Sequence, residues 1–148
     1  MNSATIRHVR WFMCVGALMA FGVGCGKKER TVFPVTGQVV MGNDKKPAAG
    51  VMVFFNPDYK LEAGELCRPV GTVDQNGKFS LMTRRTNDGA PAGDYVITLT
   101  WPQETKSVFE GDGGGDKLKG EYSDVKKSKL HFKVQAGPNN EVPAIELP

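Results

Sequence analysis

Few residues in this chain have the types and spacing that chemistry needs. Two histidines and three cysteines occur in 148 residues. His8 precedes an apolar run, and His131 alternates with Leu130 and Phe132, which predicts a strand with the imidazole facing outward. One such imidazole builds neither a metal site nor a nucleophile triad. No catalytic residue, metal ligand or cofactor is therefore assigned, and the chain reads as non-enzymatic. Asp74-Gln75-Asn76-Gly77 opens like a calcium loop, yet a full loop needs a Glu at its twelfth position, and Arg85 stands there. A hairpin turn is the better reading. Gly111 to Asp116 lacks the Lys-Ser/Thr ending of a phosphate loop and reads as a glycine-rich connection. Tyr59, Phe109 and Tyr122 would offer a sugar-stacking surface if they gather at one end. Trp101 is in phase with Tyr95, Ile97 and Leu99 and reads as core. Lys126, Lys127, Lys129 and Lys133 form a basic stripe, read as a solvated face.

The cysteines carry more information. Arg7 and Arg10 precede the apolar run 11–23, and no acid appears before Glu29. That run is shorter than the ~20 residues of a spanning helix; with its basic start and small residues at the end it describes a secretory signal. Gly22-Val23-Gly24-Cys25 resembles the lipobox of bacterial lipoproteins, a family in which cleavage precedes a Cys that carries diacylglycerol. Gly22 stands where the family usually has Leu. The resemblance implies a signal at 1–24, a lipidated Cys25, a tether over 25–31 and a domain over 32–148. Several acyl chains on one Cys hold a membrane firmly. Gly26, rather than Asp, after the Cys implies no inner-membrane retention, so the expected location is the cell envelope, on the outer membrane or a periplasmic face. The alternative is an ordinary signal that leaves Cys25 a free thiol, which would make a Cys25–Cys67 bridge available. Cys67 itself reads as a small buried hydrophobe on a strand.

The elements behind these residues read as strands. Lys+Arg number 19 against 16 Asp+Glu, a net charge of +3, which excludes the basic footprint of nucleic-acid binding. At 40% hydrophobic residues the chain can bury one core. No helical periodicity is sustained. Short Val/Phe/Thr/Tyr/Ile runs alternate with Gly/Pro/Asn/Asp clusters, the pattern of an all-β sandwich. Strands are expected at Val35–Met41, at Val51–Phe55 with Val51, Val53 and Phe55 inward and Pro57 as a stop, near Cys67–Val73, and at Lys78–Met82. Others are expected at Asp94–Trp101, Lys129–Val134 and Val142–Leu147. In Asp94–Trp101, Val96, Thr98 and Thr100 are expected on a half-exposed face.

Three local patterns carry a second resemblance. Val35-Thr36-Gly37-Gln38-Val39 followed by Pro47 to Phe55, Asp74-Gln75-Asn76-Gly77-Lys78-Phe79, and Pro91-Ala92-Gly93-Asp94-Tyr95-Val96-Ile97 resemble transthyretin-like, or carboxypeptidase regulatory-like, domains. Lys117 to Asp124 and Ser128-Lys129-Leu130 are similar to a bacterial lipoprotein branch of that group. The resemblance covers residues 32–148 and implies a Greek-key β-sandwich of seven to eight strands. Enzymes of this fold, the 5-hydroxyisourate hydrolases, use several histidines, an Arg and a Tyr-Arg-Gly-Ser tail. Those histidines are lacking here and the last residues are Glu146-Leu147-Pro148, which argues against a transthyretin-related hydrolase. The expectation is a lipid-anchored structural or interaction module, with an envelope protein as partner. A carbohydrate-binding module of the cell surface is the alternative.

Overall fold

The computed structural model describes residues 29–61, 67–103 and 115–148. The predicted signal, Cys25 and Phe109 lie outside them. Eleven strands and no helix are found among the described residues: β1 (Val32–Phe33), β2 (Val35–Met41), β3 (Lys46–Pro47), β4 (Met52–Pro57), β5 (Val70–Thr72) and β6 (Lys78–Ser80) come first. β7 (Ala90–Pro91), β8 (Gly93–Thr100), β9 (His131–Val134), β10 (Asn140–Glu141) and β11 (Ile145–Leu147) follow. The all-β sandwich is as expected. The strand number exceeds seven to eight because several elements are two-residue pieces.

One sheet is organised around β2, which pairs antiparallel with β3 and β6 and parallel with β10 and β11. The other has the order β5-β4-β8-β9. β1 and β7 form a small ladder beside them. Alternation places Val35 and Val39 of β2 against Val53 and Phe55 of β4 and Tyr95, Ile97 and Leu99 of β8, all buried in one cluster. Val51, Val53 and Phe55 are fully buried, as their spacing predicts. The hairpin at Asp74–Gly77 also forms: Gly77 takes a φ of 81°, and Asp74 Oδ1 accepts the N–H of Asn76 and of Lys78.

Several expectations need correction. β4 runs through Pro57 instead of stopping before it, and Pro57 pairs with Tyr95. Asp58 N–H donates to Asp94 C=O, so the alternating ladder makes Pro57–Tyr95 a pair that needs no N–H. Val96 and Thr98 are buried, Thr98 to 2% exposure, where a half-exposed face is expected. Asn56 makes this possible by donating its Nδ2 to Thr98 Oγ1 and to Val96 C=O, which satisfies the polar atoms under cover. Cys67 is buried as expected but lies ahead of β5 rather than on a strand. Of the expected last strand, Val142–Leu147, only Ile145–Leu147 forms β11. A further short strand, β10, precedes it at Asn140–Glu141, where a turn is expected to end, with Pro143 between them and both parallel to β2. β9 starts at His131, later than Lys129.

β2 can be central because Gly37 leaves room for a neighbour. Gly37 pairs with Phe79, and a Cβ there would lie 2.6 Å from the Phe79 ring and 2.9 Å from Val142 Cβ. The aromatic ring fills the space over the glycine. Replacing Gly37 by Ala is expected to destabilise the fold by about 1–3 kcal/mol through overpacking. Phe79→Leu should recover part of that loss in the double variant, a coupling measurable by denaturant unfolding.

Candidate functional site

Chemistry-bearing residues collect at the two ends of the sandwich. At the first end β8 begins. Tyr95 O–H donates to Pro91 C=O at 2.8 Å, a tyrosine-corner contact that fixes the turn into the strand. A phenol has one proton, so at the 3.0 Å contact between the two hydroxyls Tyr59 is the donor and Tyr95 the acceptor. Cys67 Sγ lies 3.6 Å from the Tyr59 hydroxyl. With Tyr59 O–H committed to Tyr95, the thiol donates. The result is a one-way chain, Cys67 to Tyr59 to Tyr95 to the Pro91 carbonyl. Both phenols are raised, first of all by burial, Tyr59 to about 12 and Tyr95 further. The Tyr59 ring packs edge-on to Tyr95 and lies over Gly93, where a Cβ would fall 2.5 Å from it. Its other neighbour is the Arg30 guanidinium, 4.7 Å from the ring centroid.

The same end holds the start of the domain. Arg84 donates Nη1 to Glu29 Oε2 at 2.8 Å and Nη2 to Arg30 C=O at 2.6 Å. The loop carrying Arg84 is tied by Asp88, whose carboxylate accepts the N–H groups of Thr83, Arg84 and Arg85. Burial raises the Asp88 carboxyl, and those three donors more than offset it, so it sits below its ordinary value.

At the other end, β8 gives way to Trp101. Asp116 Oδ1 accepts the N–H of Trp101 and of Leu118, and Oδ2 that of Gly120. Here too burial raises the carboxyl and the donors overcome it, leaving it lowered. Lys117 Nζ stands 4.9 Å over the Trp101 ring, so Trp101 is half-buried, a cap to the core and not its interior. Tyr122, half-buried, contributes its carbonyl to Leu99 N–H.

This layout bears directly on the predicted sugar-stacking residues. Tyr59 packs at Gly93 and Tyr122 bonds at Leu99, six residues apart along β8, or about 20 Å. The structure does not bring the two together, and Phe109 lies outside the described residues. His131 is exposed, as are Lys126, Lys127, Lys129 and Lys133. Lys127 and Lys133 pair with Asp124 and Asp94 in open ion pairs.

Between the ends, the β5–β6 hairpin borders an open pocket of about 420 Å3 lined by Met52, Val70, Thr72, Lys78, Phe79 and Met82. Its legs meet at Val70↔Met82 and at Asp74 N–H to Lys78 C=O. Between those points they diverge, β5 into one sheet and β6 into the other. No cluster of three or more His, Cys, Asp or Glu able to hold a metal is found among the described residues. No protein family, curated protein or solved structure matches the chain.

Sequence reasoning missed the aspartate clasps and the tyrosine chain. Asp74, Asp116 and Asp124 each accept the N–H two residues on, a spacing visible in the sequence as turn-forming Asp. The tyrosine chain joins residues far apart in sequence and has no local signal.

Two pH limits follow. Each lowered carboxyl contributes stability that is complete above its unfolded value, near pH ~4, and is lost as pH falls through the lower folded value. Melting temperature should fall below that point. Asp116→Asn keeps an acceptor for Trp101 and Leu118 but none for Gly120, so it should cost about 1–2 kcal/mol at neutral pH and flatten the acid slope. Each raised phenol contributes stability present below its unfolded value, near pH ~10, and lost as pH rises through the folded value. Denaturation midpoints should therefore decline above about pH 10 and decline less in Tyr59→Phe.

Proposed function

We propose that this protein is a non-catalytic, lipid-anchored module of the bacterial cell envelope, held to a membrane by acyl chains on Cys25 and presenting a rigid β-sandwich to a protein partner. The observation that carries the reading is Gly22-Val23-Gly24-Cys25 standing four residues before Glu29, at which point Arg84 seizes the chain. An anchor so close to a clamped, fully built domain suits display and not catalysis. The transthyretin-like Greek key is the finer fold reading, supported by the Asp74–Phe79 hairpin with its φ of 81° at Gly77 and by the Tyr95 corner. The carbohydrate-binding alternative has less support, since Tyr59 is occupied by Tyr95, Gly93 and Arg30.

Cys25→Ser tests the anchor. The wild-type chain should partition into the detergent phase and sediment with membranes, and the variant should be soluble after export. Continued membrane association of Cys25→Ser would sink the lipid anchor. Cross-linked membranes should yield one stoichiometric protein partner with the wild type. Retention on polysaccharide columns with no such partner would instead favour the glycan reading.

A further inference from the structure

The two ends of the sandwich differ in their relation to an anchor. Cys25 lies four residues before Glu29, a span of at most about 14 Å. From Glu29 onward the chain is held at one end by three sets of contacts: Arg84 to Glu29 and Arg30, the β1–β7 ladder, and the backbone of Phe33 packed on Gly89. A Cβ at Gly89 would fall 1.8 Å from the Phe33 carbonyl oxygen. The other end, with Trp101, Lys117 and Asp116, is separated from the first by β8, eight residues long, or about 25 Å.

Resting on the lipidation of Cys25, the geometry points to a membrane-facing surface on this protein: the loop Thr83–Asp88 with its neighbours Tyr59 and Lys60 sits against the bilayer that carries the anchor, and the Trp101 end is directed away from it. Arg84 sets this orientation by fixing the tether to the loop. The partner is an anionic phospholipid surface. Arg85 and Lys60 are exposed at this end, and Lys27 and Lys28 lie in the tether. Of the nearby acids among the described residues, Asp88 is turned onto backbone N–H groups, Glu29 is paired with Arg84 and Asp94 with Lys133, leaving Asp58 exposed beside Lys60. Cations next to an anchor are drawn to a negative headgroup layer.

The chain has two tryptophans, and Trp11 falls in the predicted signal, so the mature protein carries a single tryptophan, at the far end, which light of about 295 nm excites without its tyrosines. The experiment uses lipidated full-length protein in phosphatidylethanolamine/phosphatidylglycerol vesicles containing a dansyl-labelled phosphatidylethanolamine. Energy transfer from Trp101 should be weak. The double variant Arg85→Trp, Trp101→Phe should transfer several-fold more strongly, as should Thr86→Trp, Trp101→Phe, a second placement on the same exposed loop that guards against a misfolded first variant. Arg84→Ala added to each should narrow the difference. Equal transfer from the two ends, or stronger transfer from Trp101, overturns the orientation while the anchor stands. An unchanged difference with Arg84→Ala removes Arg84 from its role. Wild-type protein that fails to float with vesicles at all overturns the anchor reading and the orientation with it.

Discussion

β2 has no free edge, and most of the architecture depends on that. Its seven residues bond to β3 and β6 on one side and to β10 and β11 on the other. To sit between so many partners the strand must be narrow in the middle, which Gly37 provides, and the gap must be refilled, which Phe79 does. The partners must also be short. β10 and β11 share one edge in turn, with Pro143 at their joint. Asn140 secures the turn that leads into β10: buried to 5% exposure, its amide accepts Gln135 N–H and donates to the carbonyls of Pro34, Gln135 and Gly137. A buried amide left unpaired at that point would cost more than its bonds contribute.

Polar groups elsewhere are used in the same way. Asp74, Asp88 and Asp116 act chiefly on backbone N–H groups, and each such bond stiffens a turn that would otherwise leave donors unsatisfied. The surface ion pairs, by contrast, are open to water on both sides and contribute little. A near-neutral protein rich in Lys, Asp and Glu thus places its consequential electrostatics in loops.

Much of the fold was legible because burial on one face imposes a period of two. Val51, Val53 and Phe55 declare their direction, and so do Tyr95, Ile97 and Leu99. The turn residues at Asp74–Gly77 mark a hairpin without help from the rest of the chain. The failures have a common cause. Whether the second face of β8 is wet depends on Asn56, on another strand. Where the C-terminal run pairs depends on the one edge of β2 that β10 and β11 share. Tyr59 looks like an available ring until Gly93 and Arg30 close around it. Of the candidate residues, Cys25 is defined by its immediate neighbours in sequence. The aromatic set required a spatial gathering that alternation cannot foretell.

The order in which contacts would fail under load follows from the clamp. A pull on the N-terminus acts first on Arg84 with Glu29 and Arg30, then on the two-residue β1–β7 ladder. Only after these does it reach β2, braced on both edges. Residues 29–34 can therefore pay out about 20 Å of chain with the core intact. That short stretch works as a strain relief, letting the domain absorb a pull on its N-terminus and reseat afterwards.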